Sequence, residues 1–417
     1  MGQQQRLHRY HVDTVRNSLT RNMSASFGEV RDEVQMAFDD DIPRSVSGDW
    51  VAVPAYNTIM RVVCKVSNRF FVGLPLCRNP DWIDLNIQFA LDIFKAASII
   101  NLFPDFLKPV VGNILSPANA VQTKRALRDL GDIIQDRLDK EDAYGPDWAD
   151  RPNDLISWLI HDNPGGKFRT VTDLVMRILS VNMASIHSTS IEFTNTLFYL
   201  AIQPSHVINT LREEIDTVVK EHGWSKISIG YLWKLDSFMK ETARMASSNG
   251  LAVERKVMKE FALSDGTVIP VGTVLTVPSL AIHHDEVGVF IAAPETLTDF
   301  CCIITIAFLD TKRNFNESHV FKPFRFSDMR TNERIKHQMV TPNAEYIFFG
   351  AGRHACPGRF FAVNELKILV AHTLMTYDLK LEDNTKMLPE PQWLGYRVSP
   401  SRTAKVLFRR RNRNLKV

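Results

Sequence analysis

From Val171 to Ile202 apolar residues recur three and four apart, and Gln203-Pro204 ends the run. This periodicity predicts one long, largely apolar helix. Ser205–Glu221 reads as a second, amphipathic helix: "REEIDTVVKE" carries charges at helical spacing, and Gly223 follows as a stop signal. A third helix is expected from about Ile229 to Ala246. Upstream, Val12 to about Asp139 is mostly helical in pattern, with breaks expected at Pro43, Pro75, Pro104 and Pro117. Glu141 to Leu155 is a polar, turn-rich connector.

The texture changes after Ala246. "FALSDGTVIPVGTVLTVPSL" combines β-branched residues with a Ser-Asp-Gly and a Pro-Val-Gly turn, the pattern of short hairpin strands. "YIFFGAGRHACPG" reads as a loop, and "RFFAVNELKILVAHTLMTYDLKL" as a last amphipathic helix closing on a strand. The chain is therefore expected to be mostly α, with small β-sheets in its C-terminal half. No internal repeat is visible. No Gly-x-Gly-x-x-Gly opens a helix after a strand, so a dinucleotide-binding fold is not supported.

Composition narrows the class. With 417 residues, 45 % of them apolar and 23 % charged, the chain can bury a large core. A net charge of +3 is too small to argue for nucleic acid. The one basic run, Arg409, Arg410, Arg411, Arg413 and Lys416, reads as a solvated tail, with weak attraction to an anionic membrane surface as the alternative. The N-terminal "MGQQQRLHRYHVD" is polar from its first residue, so neither a signal peptide nor an anchor is visible. Arg6 stands where myristoylation of Gly2 would want Ser or Thr. The longest apolar run, Phe300–Leu309, is too short to span a bilayer. Five cysteines without paired spacing fit a reducing compartment.

The stretch "FFGAGRHACPGRFF", Phe348–Phe361, holds the candidate chemistry. Cys356 lies among Gly350, Gly352 and Gly358, beside Arg353, His354 and Arg359, and just before an apolar helix. It can be read as half a disulfide, a nucleophile, a zinc ligand or a lone thiolate holding an iron. Zinc has no partner ligands in view, since there is no Cys-x-x-Cys and no His-Glu-x-x-His. A thiolate is a strongly donating axial ligand to heme iron that favours O–O cleavage. It must stay deprotonated yet shielded, which a glycine loop and a helix N-terminus can arrange. His354 or Arg353 is placed to hold a propionate.

These residues resemble the heme loop of cytochromes P450, Phe-x-x-Gly-x-Arg-x-Cys-x-Gly. Phe349, Gly352, Cys356 and Gly358 match, while His354 stands where Arg is usual. "KETAR" supplies Glu241 and Arg244 as the family's Glu-x-x-Arg pair, and "FKPFRF" supplies Arg325 as the third member of a structural cluster. On the long helix, "ASIHSTS" resembles the segment that passes protons to oxygen. Ala184 and Ser185 take the small positions, His187 that of the acid, and Ser188 and Thr189 those of the alcohols. The bland reading is that both hydroxyls only bond back to helix carbonyls. Arg255 pairs a propionate in this comparison, or is a solvated strand residue.

The resemblance implies a cytochrome P450 fold holding heme b, with Cys356 the only protein ligand to iron. It implies a monooxygenase that oxidises a hydrophobic small molecule with O2 and NADPH electrons delivered by a reductase partner. The "ASIHSTS" run suggests a fungal, terpenoid-metabolism type. The endoplasmic reticulum membrane is the implied location, with peripheral membrane contact. Alternatives from the same residues are a reductase-independent peroxygenase or isomerase, and a non-functional product. The disulfide and nucleophile readings become remote, because no partner cysteine and no His-Asn/Asp dyad is recognisable.

Several places depart from the family pattern. One P450 domain is expected over 1–417, N-terminally incomplete: members carry an anchor, a first helix and much of a small sheet before the point where this chain starts. "HVDTVRNSLTRNM" already looks like the helix lying against the heme. Residues 287–315 read as an atypical insertion of the kind a retained intron leaves. Ser247 stands where proline is common. Cys77 is expected to be a packing residue, and His283-His284-Asp285 a surface turn rather than a metal site.

Overall fold

The computed structural model describes residues 8–45, 48–104, 106–263, 266–284, 303–305, 315–330 and 335–411. The expected insertion lies mostly outside these. The helices that position the site are α1 (Phe27–Asp41), α2 (Ala55–Phe71), α3 (Pro80–Ile100) and α4 (Lys108–Tyr144), followed by α5 (Val171–Ile202), α6 (Ser205–His222), α7 (Trp233–Met245) and α8 (Arg359–Thr376). α5 is the axis, and α2, α3, α4, α7 and α8 all pack against it. Its bounds are those the periodicity predicts, because both signals are local. Thr170 caps its first turn, its hydroxyl accepting from the Asp173 N–H at 3.3 Å, and Pro204 cannot continue it.

The helices begin where polar caps meet apolar runs. At α3, Asn79 accepts from the N–H groups of Asp81 (2.8 Å) and Trp82 (3.4 Å), with Pro80 at the first helical position. Buried Trp82 then ties α3 to α2, its indole N–H donating to Asn68 Oδ1 at 2.8 Å. Among the described residues most of the apolar core is one cluster running from Val15 to Phe408, with a small second one of Tyr56, Met60, Cys64, Ile83 and Ile186.

The sheets are small, as expected. β1 (Val51–Pro54), β8 (Lys405–Arg410) and β5 (Tyr377–Leu381) form an antiparallel sheet in the order β1-β8-β5, with Val51 opposite Phe408 and Phe408 opposite Leu379. β2 (Ala252–Lys256) pairs antiparallel with β3 (Val274–Val277), which pairs parallel with β4 (Ile303–Thr305). β6 (Gln392–Leu394) and β7 (Arg397–Ser399) form a hairpin, as do Phe261–Ala262 and Val268–Ile269.

Some expectations fail for identifiable reasons. α4 runs straight through position 117, so that proline does not end the helix. The stretch from Ile229 to Ala246 divides at Leu232, between a short capped helix (Lys226–Tyr231) and α7. Over its described part the basic run lies at the end of strand β8 rather than in a tail, with Arg409 and Arg410 exposed as expected. Arg409 pairs with Asp378 at 3.1 Å, Arg410 with Asp39 at 3.4 Å, and Arg411 donates to the Leu374 and Met375 carbonyls, all 3.1–3.4 Å contacts fixing the end of β8. Among the described residues no helix is long and apolar enough to cross a membrane.

Candidate heme-thiolate site

Cys356 sits between two backbone constraints. Its N–H donates to the Phe349 carbonyl at 2.8 Å, and Arg359 Nη1 donates to the Cys356 carbonyl at 2.9 Å. The chain doubles back through Gly350 (φ +76°) and Gly352 (φ +61°), both in the left-handed region that only glycine occupies without strain. Burial pushes the thiol pKa up, while the N–H groups of Gly358 and Arg359 and the Arg359 charge favour the thiolate. Among the described residues no three His, Cys, Asp or Glu side chains cluster to hold a metal. Cys77 is fully buried, as a packing residue is.

Two supports hold this loop. The first is the N-terminal helical stretch Tyr10–Asn22. A Cβ on Gly358 would stand 3.5 Å from Val15 Cγ1, so the Val15 side chain packs closely over the Gly358 backbone. Arg177, buried on α5, pins the stretch by donating to the His8 carbonyl (2.9 Å) and to His11 Nδ1 (2.8 Å), with its guanidinium 3.9 Å from the Tyr10 ring centre. "HVDTVRNSLTRNM" therefore lies beside the cysteine loop.

The second support is the Glu241–Arg244–Arg325 cluster. Arg244 forks onto Glu241 at 2.9 and 2.8 Å, and Arg325 Nε reaches both carboxylate oxygens at 3.0 and 3.2 Å. Arg325 also donates to the Asn316, Glu317 and Val320 carbonyls, and Arg244 to those of Ser318 (2.7 Å) and His283 (2.5 Å). The cluster therefore binds α7 to the segment around 316–325.

His283 extends it to the cysteine loop. It is fully buried on a short helix (Ser279–His283), not at a surface turn: its ring stacks on Tyr346, centroids 5.4 Å apart, and its Nε2 accepts the Ile347 N–H at 3.1 Å. Burial lowers its pKa to about 3, so it is the neutral tautomer with the proton on Nδ1. The sequence signal that could have found it is an apolar run, "LAI", leading into the histidine pair.

Three arginines share the loop's rim with His354. The charge of Arg255 first, then loss of hydration, then the charges of Arg353 and Arg9, hold the His354 pKa below its ordinary value, and His354 is exposed. Arg255 lies on β2 beside a register shift, its Nη1 donating to the Glu254 carbonyl at 2.8 Å. So the structure brings Arg255 and His354, distant in sequence, to one face.

α5 supplies the other wall. Within its buried middle, Ala184 and Ser188 are exposed and Ser185 partly so, an open stripe on an otherwise core helix. Ser188 Oγ donates to the Ala184 carbonyl at 2.7 Å, the back-bonding geometry, while remaining open to the stripe. Thr189 points elsewhere and is buried. His187 is buried too, its ring 6.0 Å from that of Phe94 and held by the Ile87 carbonyl; burial lowers its pKa to about 4.

The donor set fits a heme. One uncompensated thiol faces backbone donors, cations line the rim, and the long core helix leaves small residues open rather than packed. Cys356 would be the iron ligand, and Arg255, Arg353 and His354 would hold propionates. The geometry suits a heme-thiolate protein. The cytochrome P450 family model matches residues 3–295 and 301–408. Cytochrome P450 monooxygenase 151 of Postia placenta is 40% identical over 408 residues, covering 97% of this chain and 76% of that protein. Cytochrome P450 monooxygenase CYP512U6 of Ganoderma lucidum is 32% identical over 375 residues, 89% of this chain and 68% of its own length. The chain belongs to the cytochrome P450 family, and its activity is that of a P450 monooxygenase.

Proposed function

We propose that this monooxygenase oxidises a hydrophobic small molecule of the terpenoid class, using O2 and electrons that a reductase takes from NADPH. The observation that carries the reading is the lone Cys356 thiol, tied by its N–H to Phe349 in a loop behind which α8 packs against α5. Heme, when bound, supplies the O2 chemistry; the chain binds, orients and shields. Gly358 and Arg359 N–H groups stabilise the sulfur's charge, and Arg359 clamps the loop through the Val340 and Cys356 carbonyls. Ser188 keeps its hydroxyl at the stripe, where oxygen is handled. The terpenoid class rests on the "ASIHSTS" run and on the aromatic Phe94 beside His187.

Membrane contact is the companion proposal. Ile99, Leu102, Phe103, Phe106, Leu107 and Ile114, at the junction of α3 and α4, form an exposed apolar tip. Such a tip suits the interface of the endoplasmic reticulum membrane. The test of the main reading is the reduced carbon-monoxide difference spectrum of the chain beside Cys356→Ser. A thiolate-type Soret band lost in the variant supports it, and a band retained in the variant overturns it. Turnover of a terpenoid panel with and without NADPH and reductase then separates a monooxygenase from a peroxide-driven enzyme.

A further inference from the structure

Three core helices meet at one buried carboxyl. Glu365 of α8 is fully buried, and its Oε1 accepts from Ser67 Oγ of α2 at 2.7 Å. Ser67 Oγ in turn lies 3.3 Å from Ser185 Oγ on α5. The second carboxyl oxygen of Glu365 is buried with no hydrogen-bond partner. Thr189, one turn along α5, is near enough to favour the carboxylate without a hydrogen bond of good geometry. An ionised carboxylate here would lack the donors it needs, so the group keeps its proton: burial raises the pKa to about 8.

The line of hydroxyls leads somewhere. Ser185 is partly exposed, and its neighbours Ala184 and Ser188 form the open stripe of α5. His187, standing in the acid's place, is shut away against Ile87 and Phe94 and stays neutral. We infer that Glu365 is the proton-holding acid of this enzyme, relaying through Ser67 and Ser185 to the heme-facing stripe of α5. The inference rests on the monooxygenase reading above.

Monooxygenation consumes one O2, two electrons and two protons, leaving one oxygen atom in the product and one in water. The reductase supplies the electrons. Glu365 gives its carboxyl proton to Ser67 Oγ, Ser67 gives its own to Ser185 Oγ, and Ser185 releases its own at the stripe. The carboxylate recovers a proton from bulk solvent after each transfer, so two passages supply the two protons of one turnover. Both polarities suit the 2.7 Å contact: Ser67 donates to an ionised Glu365 and accepts from a protonated one.

Glu365 acts through others, so it is a positioning residue, and its test needs a readout that a merely structural role would not move. The infrared C=O stretch of a protonated carboxylic acid is recorded at neutral pH on chain labelled with carbon-13 glutamate. A band lost in Glu365→Gln and shifted in Ser67→Ala supports the relay, with Glu192→Gln identifying the other buried acid. If the protonated band survives Glu365→Gln unchanged, or Ser67→Ala leaves it in place, the relay is wrong. Hydrogen peroxide released per NADPH, with reductase and no added acceptor, should rise several-fold in Glu365→Gln and Ser67→Ala and return toward the parent value in Glu365→Asp. An unchanged ratio beside a normal thiolate Soret band sinks the relay alone. A parent chain without that band sinks the heme-thiolate reading, and the infrared arm, read on heme-free chain, still decides the relay.

Discussion

Replacing Glu192 should stabilise the fold, and the gain should depend on pH in a defined direction. Glu192 lies on α5 beyond Thr189, 2% exposed, with both carboxyl oxygens unpartnered. Burial alone raises its pKa from 4.5 to about 8. The unfolded chain releases this proton near pH 4.5 and the folded chain only near 8, so between those values the native state binds more protons. Stability contributed at this site therefore falls as pH rises, by about 1.4 kcal/mol per pH unit. From pH 4.5 to about pH 7.5 the loss reaches about 4 kcal/mol, an upper figure because an unfolded chain retains some burial. Glu192→Leu removes both the titration and the orphan acceptors at similar volume, and Glu192→Gln removes the titration only. Urea unfolding midpoints of parent and variants, read across that range, are the assay, with the slope m checked for constancy. The Leu variant should gain little near pH 5 and several kcal/mol near pH 7.5. A gap that is the same at every pH, or a less stable variant, would refute the reasoning.

Other expectations follow from the same geometry. Glu241→Ala strands two guanidinium groups in the core and should cost about 3–5 kcal/mol, read as a lower melting temperature and loss of heme-loaded protein. His187 has a folded pKa lowered from 6.5 to about 4, so its contribution to stability is lost as pH falls through that window. His187→Phe should then reduce the acid-side loss by up to about 3 kcal/mol in unfolding experiments. Gly350→Ala forces a side chain onto φ +76° and should cost about 1–2 kcal/mol, with a weaker thiolate Soret band at equal protein. Ser substitution at Phe106 and Ile114 should lower flotation with anionic liposomes while leaving that band intact. Sequencing the transcript tests the insertion: a spliced message lacking the codons for 287–315 supports it, and a mature message retaining them does not.

Much of this protein was legible in order along the chain. The bounds of α5 needed only Thr170, an apolar period and Pro204, all of them short-range. The cysteine loop was readable because glycine is the one residue at ease at φ +76° and +61°, and because Cys356 has no partner in sequence. The helix through position 117 was not legible, since packing against α3 and α5 overrides a local break.

What only the tertiary structure decided is which side chains share a buried space. Sequence gave His187, Ser188 and Thr189 one task, yet successive helical residues point about a hundred degrees apart. Folded, Ser188 faces the stripe, His187 faces α3, and Thr189 turns toward Glu365. Glu365 itself reads as one more charge on an amphipathic helix until Ser67 and Ser185, far away in the chain, close around it. Likewise His283 gained its place under the cysteine loop, and Arg409–Arg411 their partners, only through contacts across the fold. Burial converts Glu365, His187 and His283 from solvated to constrained groups, and burial is a property no local stretch of sequence carries.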